Sequence, residues 1–419
     1  MNILIIAYAS EPKAGSEYGV GWMAPVTMAR KYPNHDIYVL TRSRCREKIE
    51  AALMEMALPN LHFLFYDIKK WMTYPNEMQS KWGEQINYVL WQMLVRPFVK
   101  KCHSIYSFDV IHQLTFNQYR TPSPGFWMNI PFVMGPIGGA ECVAKVFWRD
   151  LDAHSLRKER IRLKGGDMNL FKWLNSRKRN KKVILCSCSE NILRLKPYGG
   201  NSRFEMFPAI AYEPMDFMSD YGGEHDLRGD GTFEMIYAGK AWDWKGIKIF
   251  LSAAQKAFEQ NQSARPWKIK LIGIRTEDEK KKVMTWVEEF GLQRNVELIP
   301  FMKRPDLLKV LRTCSLSVYP AFRDSGSMSV LEASAMGSPT ICFDVGGQDV
   351  FPDDVLIKIP VKETYETTRD ALAEKLLWAY EHEDEAKNIG LASKTWVAEN
   401  LTWDKKVDYF VSLYESLLK

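Results

Sequence analysis

The chain has 419 residues, of which 46% are hydrophobic and 26% charged. That is too long for one ordinary core, so two α/β domains are expected, and disorder or a fibre is excluded. The net charge of +6 hides an asymmetry: residues 1–205 carry 30 Lys/Arg against 17 Asp/Glu, net +13, and the remainder 27 against 34, net −7. A basic half points one surface at something anionic, and nucleic acid, an anionic membrane and a phosphorylated substrate all stay open at this level.

The opening MNILIIAYASEP has no basic leader and meets Glu11 too early for a signal peptide, so it reads as a buried first strand. Strand-like runs then follow at DIYVLT, LHFLFYD, FDVIHQL, PFVMGP and KVILCS. Between them lie segments of helical spacing, as over 77–105, where Trp82, Ile86, Val89, Leu90 and Met93 recur at three and four. A polar, Gly-containing stretch over 208–231 reads as a linker. A second alternation follows, with FEMIYAG, WKIKLIG, NVELIP, LSVYPA, SPTICFD and DVLIKI each trailed by a helix-like segment. This is the pattern of parallel sheets wrapped by helices. The boundaries read are 1–207, 208–231, 232–400 and 401–419, the last an amphipathic helix docked on the body of the protein. No apolar run approaches the ~20 residues of a membrane span. Seven scattered cysteines without C-x-x-C fit a reducing, cytoplasmic compartment.

The strongest constellation is FRDSGSMSVLEASAMGSPTICFDVGG over 322–347. A strand ends, and small residues open a helix near Ser327. The backbone N–H groups of Gly326, Ser327, Met328 and Ser329 would lie unpaired at that helix start, a natural seat for phosphate. Asp324 stands just outside the helix and Glu332 about two turns up it, where carboxylates can accept from hydroxyls on either side of a bound phosphate. Read alone, the two fit an N-cap Asp and a solvated Glu better than a ligand site. A second constellation, YAGKAWDWKG, puts Lys240 and Lys245 in the loop after the strand that opens the second domain. Two ammonium groups there can straddle a diphosphate.

These two motifs, with EPKAGSEYGVGW, DVIHQLTFNQYRTPSP and MGPIGGAE in the first half, resemble the retaining GT-B glycosyltransferases of family 4. The resemblance implies two Rossmann-like domains facing a cleft, with the C-terminal helix docked back toward the N-terminal domain. It also implies a nucleotide-sugar donor held mainly by the second domain, and transfer with retention that uses neither metal nor cofactor. Carried over by position, Lys240 and Lys245 would hold the pyrophosphate, Asp324 the donor sugar and Glu332 the ribose. Gly15 would bring the first domain's backbone to the diphosphate. Asp324 stands where the family has Glu, and Lys240 where it has Arg, so the sugar contact and the fork geometry both differ.

Other candidates divide. His112, at the end of FDVIH, lies near the reacting groups by the resemblance, or caps a buried strand. The D-x-D Asp150–Asp152 sits in a polar, helical stretch and is a weak metal site. Glu17 and Glu141 are candidate acceptor contacts or solvated loop residues. Gly15, Gly19 and Gly21 do not have dinucleotide spacing, and no nucleic-acid motif is present. The segment 141–182 holds 13 Lys/Arg and 5 Asp/Glu. It reads either as an anionic-membrane surface on the acceptor side or as a hairpin covering the first domain. The expectation is a cytoplasmic transferase, peripheral on the inner membrane face, that acts on a surface glycan or lipid-linked acceptor. A GT-B nucleotide-sugar epimerase and a non-catalytic sugar-binding protein are the alternatives.

Overall fold

In the computed structural model, residues 1–74, 83–166, 168–176, 180–213, 231–259 and 265–419 are described. The chain forms two compact units. The first comprises Met1–Ala140, Gly165–Ala209 and Trp403–Lys419; the second, Glu141–Lys164 and Ile210–Thr402.

The first unit is a seven-stranded parallel sheet in the order β3-β2-β1-β4-β5-β6-β7. Its strands are β1 (Asn2–Ile6), β2 (Asp36–Thr41), β3 (Leu61–Phe65), β4 (Val110–Gln113), β5 (Phe132–Ile137), β6 (Lys182–Cys186) and β7 (Arg203–Met206). Strands β1, β4 and β5 are buried on both faces, which is why they read as near-continuous apolar runs. Numbered along the whole chain, the helices of this unit are α1 (Ser16–Lys31), α2 (Arg46–Met54), α3 (Gly83–Leu94), α4 (Arg96–Tyr106), α6 (Met168–Asn175), α7 (Ser189–Leu195) and α14 (Trp403–Leu418). Helix α14 docks here as expected: Asp408 accepts from Lys31 and from Tyr32, each at 2.7 Å, and Lys181 Nζ donates to Leu417 O at 2.9 Å. Strand β7 was not legible in the sequence. Its Arg-Phe-Glu-Met lies on the sheet edge, half-buried to exposed, and lacks the apolar run of its neighbours.

The second unit repeats the design with six parallel strands in the order β10-β9-β8-β11-β12-β13. They are β8 (Phe233–Ala238), β9 (Trp267–Ile272), β10 (Val296–Ile299), β11 (Leu316–Tyr319), β12 (Thr340–Phe343) and β13 (Ile357–Ile359). Its helices are α5 (Ala153–Lys164), α8 (Ile247–Glu259), α9 (Glu277–Glu289), α10 (Arg304–Thr313), α11 (Met328–Ala335), α12 (Tyr365–Glu381) and α13 (Glu383–Asn400). Local chemistry sets their starts: Thr276 and Glu279 form a capping box at α9. In both sheets the chain winds one way from its first strand, then returns to that strand's other side. The reversals fall between β1 and β4 and between β8 and β11, the places where open α/β sheets bind ligands.

The segment read as one basic insertion divides between two cores. Val143, Phe147 and Leu151 are buried in the second unit, where Phe147 stacks on Phe322 with ring centroids 4.1 Å apart. Met168, Phe171 and Leu174 are buried in the first. Charge runs on unbroken through the segment, so the sequence gives no sign that its apolar residues serve two cores. Of the expected linker, Ile210 and Tyr212 belong to the second unit's packing, and 214–230 lie outside the described residues. So does Trp82. None of the described helices is long and apolar enough to cross a membrane, and all seven cysteines are free.

Candidate functional site

The second unit's reversal point is where the sequence motifs meet. After β8 the chain makes a short turn that carries Lys245; after β11 it carries Asp324. Lys245 Nζ donates to Asp324 Oδ2 at 2.5 Å and to the Tyr319 hydroxyl at 2.6 Å. The Tyr319 hydroxyl also donates to Asp324 Oδ2. Burial and the adjacent carboxylate hold that hydroxyl well above its usual titration range. The side chains of Lys245 and Asp324 are 16% and 20% exposed, so the ammonium is oriented without being sealed away. Tyr319 is a member that the motif reading missed, although its place as the last residue of a central strand marks it in retrospect.

Glycines make the approach of these loops possible. Gly246 has φ +71°, and a Cβ on it would stand 1.9 Å from Pro320 O. Gly346 has φ +62°, and its Cβ would meet Asp324 O at 2.2 Å. Only glycine tolerates both the backbone and the contact. Gly347 N then donates to Asp324 O at 2.7 Å, and Phe322 N to Trp244 O at 2.8 Å. The Lys-Gly and Gly-Gly pairs of the motif therefore fix the backbone beneath Lys245 and Asp324.

Residues 141–164 brace the same loop from another side. Glu141 accepts from Ser325 Oγ. The buried Glu159 pairs with Arg323 at 3.2 Å and with Arg162 at 2.5 Å, and takes Val143 N at 3.0 Å. Arg323 lies 4.9 Å from the Trp244 ring. Glu141 is thus an internal support with 2% exposure, and Arg323, Ser325 and Glu159 are further residues the sequence did not single out.

Around this cluster the other expected residues fall as follows. Helix α11 starts at Met328 with Ser327 as N-cap and no side-chain cap, so the helix start is where it was expected. Two of the four N–H groups are already engaged: Gly326 N donates to Asp324 Oδ1 at 3.2 Å and Met328 N to Gly326 O at 2.7 Å. The expectation that all four lie unpaired is corrected, because the turn closes on itself. Ser329 Oγ donates to Ala238 O at 3.0 Å, tying the helix start to the end of β8. Glu332 is 9% exposed and accepts from Arg304 Nε at 2.7 Å. Lys240 is exposed, its ammonium 4.4 Å from the Trp242 ring. The two lysines are therefore held differently, Lys245 by a carboxylate and Lys240 by an aromatic face.

The D-x-D carboxylates are occupied by polypeptide. Asp150 accepts from the Tyr365 hydroxyl at 2.8 Å, and Asp152 accepts from Ser155 N at 2.7 Å at the start of α5. No group of three or more His, Cys, Asp or Glu suited to a metal occurs among the described residues.

In the first unit, Gly15 is the N-cap of α1 at φ −92°, and a Cβ there would meet nothing within 4 Å. No local packing demands glycine. His112 is fully buried. Its Nε2 pairs with Gly135 O at 2.8 Å, its Nδ1 with the Tyr414 hydroxyl, and its ring lies edge-on to Phe410. Burial pushes its pKa down to about 4. Both nitrogens are engaged inside the unit, as the reading of His112 as the cap of a buried strand expects. Glu17 accepts from Phe116 N at 2.9 Å.

Two Rossmann-like sheets, each reversing at its first strand, make this a GT-B fold. Sucrose-phosphate synthase from Thermosynechococcus elongatus superposes with TM-score 0.62 at 15% identity over 99% of this chain and 98% of that one. Anabaena Alr3699/HepE in complex with UDP and glucose gives TM-score 0.59 at 14% identity, covering the whole of both chains. Residues 226–396 match the family "Glycosyl transferases group 1", a stretch that falls within the second unit. D-inositol 3-phosphate glycosyltransferase of Paenarthrobacter aurescens is 27% identical over 123 residues, 29% of this chain and 30% of the relative. The match therefore spans under a third of that relative's length.

Proposed function

We propose that the protein is a retaining glycosyltransferase that moves a sugar from a nucleotide diphosphate donor to a glycan or lipid-linked acceptor. The observation that carries the reading is the Lys245–Tyr319–Asp324 cluster at the reversal of the second sheet, within the matched domain. Cleaving a sugar–phosphate bond leaves negative charge on the departing diphosphate. A pre-oriented ammonium beside the α11 start stabilises that charge where it develops. In this reading Lys245 and Lys240 hold the pyrophosphate, Asp324 meets the donor sugar, and Glu332, steadied by Arg304, takes the ribose hydroxyls. The turn from Gly326 to Ser329 forms the seat through Ser327 N and Ser329 N, with Gly326 N and Met328 N engaged within the turn, and Gly15 is the first unit's approach to the diphosphate. The solved HepE complex holds UDP and glucose, which supports a donor of this chemical class. The cations supply the counter-charge, so transfer should persist in chelator; loss in EDTA restored by manganese would contradict this.

The experiment is a thermal-shift screen of UDP-, GDP-, ADP- and dTDP-sugars, followed by product analysis with a lipid-linked glycan. A donor at about 100 times its Kd adds about 2.7 kcal/mol of stability. A raised midpoint with one donor, and a product keeping the donor's anomeric configuration, agree with the proposal. Epimerised donor without acceptor would make it an epimerase, and a shift with free sugar alone a binding protein.

A further inference from the structure

Helix α3 is apolar on two faces: Tyr88 and Trp91 are buried in the first unit's core, and a second stripe faces outward. That outward stripe, Ile86, Val89 and Met93, is 40%, 40% and 58% exposed, while Asn87 and Gln92 are buried beside Tyr88 and Trp91. Each of these two amides has a partner inside the unit. Asn87 Oδ1 accepts from Tyr74 N at 2.6 Å, and Gln92 Nε2 donates to Gln113 Oε1 at 3.0 Å. A surface helix normally carries one apolar face, turned to the core, and a polar one turned to water. Here the outward stripe is left for a partner.

The stripe is not isolated. It leads into Arg96 at the start of α4, whose guanidinium lies 5.5 Å from the Trp127 ring. Trp127 in turn packs against Trp173 of α6, ring centroids 6.2 Å apart. Trp173 is 51% exposed, and Trp71, on the segment running beside α3, is 79% exposed. Over 66–74, 83–106 and 168–176 the cations are Lys69, Lys70, Arg96, Lys100, Lys101 and Lys172. The only acids there are Asp67 and Glu84, and these pair with Arg42 and Arg44. Exposed tryptophan, methionine and isoleucine among uncompensated lysines match an anionic lipid surface, which accepts apolar side chains and attracts the cations together.

We infer that this face of the first unit, formed by α3, the start of α4 and α6, seats on anionic bilayers. It places the interface mainly outside the 141–182 segment that the charge run alone suggested. As an account of where a lipid-linked acceptor is met, it rests on the transferase reading; the membrane contact itself does not.

The test is flotation of the full chain with phosphatidylcholine–phosphatidylglycerol vesicles and with phosphatidylcholine alone, at low and high salt, with no donor or acceptor present. Its failure would therefore leave the transfer reading standing, and failed transfer would leave flotation standing. The chain should float with the anionic vesicles and weaken with salt. The double variant Val89→Glu/Met93→Glu, and separately Trp173→Glu, should lower partition about tenfold or more with unchanged circular dichroism. A bimane label at Met93→Cys should shift to the blue when anionic vesicles are added, which reads the contact even if the double variant folds poorly. Wild-type flotation by both variants, no blue shift, or no binding to anionic vesicles at low salt overturns the inference. So does loss of binding only on charge reversal of Arg157, Lys158 and Arg160 in α5.

Discussion

The two sheets reverse at equivalent places but furnish them differently. Beside β1, strand β4 carries His112, whose hydrogen bonds end on Gly135 O and Tyr414. Beside β8, the end of β11 carries Tyr319 and Asp324, joined by Lys245 from the neighbouring loop. One reversal is a closed polar joint inside a core. The other is a charge cluster left partly open to solvent. The same topology thus supplies a position, and only the residues placed there decide whether it acts as a joint or as a site.

The comparison can be broken first at Glu332. Glu332→Ala should cost about 2–4 kcal/mol in the transition state for transfer. Its partner Arg304 is 45% exposed, so the fold should survive, as circular dichroism would show. Near-normal kcat/KM would remove Glu332 from the site.

At the closed joint the expected effect is on stability and pH. Folded His112 holds its proton only below about 4, against 6.5 for the free side chain. As pH falls through 6.5 the unfolded chain gains a proton that the folded chain refuses. Stability should therefore drop between pH 6.5 and 4, by about 3 kcal/mol in full. Urea midpoints across that window should fall more steeply for wild type than for His112→Asn; parallel curves would mean that His112 is not held neutral.

A smaller loss is expected from Gly246→Ala. The added Cβ would stand 1.9 Å from Pro320 O on a backbone at φ +71°, a strain of about 1–3 kcal/mol. Thermal unfolding reads this directly, and an unchanged midpoint would mean the loop relaxes freely. Smallest of all is Gly15→Ala, where nothing lies within 4 Å: stability should stay within about 0.5 kcal/mol. A fall in transfer with that unchanged fold would support the backbone-approach role, and unchanged transfer would count against it.

Much of this organisation was legible because buried parallel strands leave apolar runs and loop glycines leave fixed spacings. All twelve strands read from the sequence are present, and Lys245 and Asp324 lie after strands that are neighbours in the sheet. Tyr319 was hidden because a strand-terminal tyrosine looks like core. Glu141 and Glu159 were hidden because their partners Ser325 and Arg323 lie more than 160 residues away in the chain. Helix α3 shows the limit of periodicity: a stripe at three and four establishes a helix but not which face turns inward. The face turned inward is the one carrying Tyr88 and Trp91, which join the first unit's core.

The most direct test of the central claim is transfer by Lys245→Ala, using the donor identified by thermal shift. The side chain is the cation aimed at the reversal of the second sheet, and its removal leaves the backbone that Gly246 shapes in place. The account predicts that kcat/KM falls by about 10²–10³ while circular dichroism is unchanged. A folded variant that turns over within about a factor of two of wild type, far short of that loss, would contradict it.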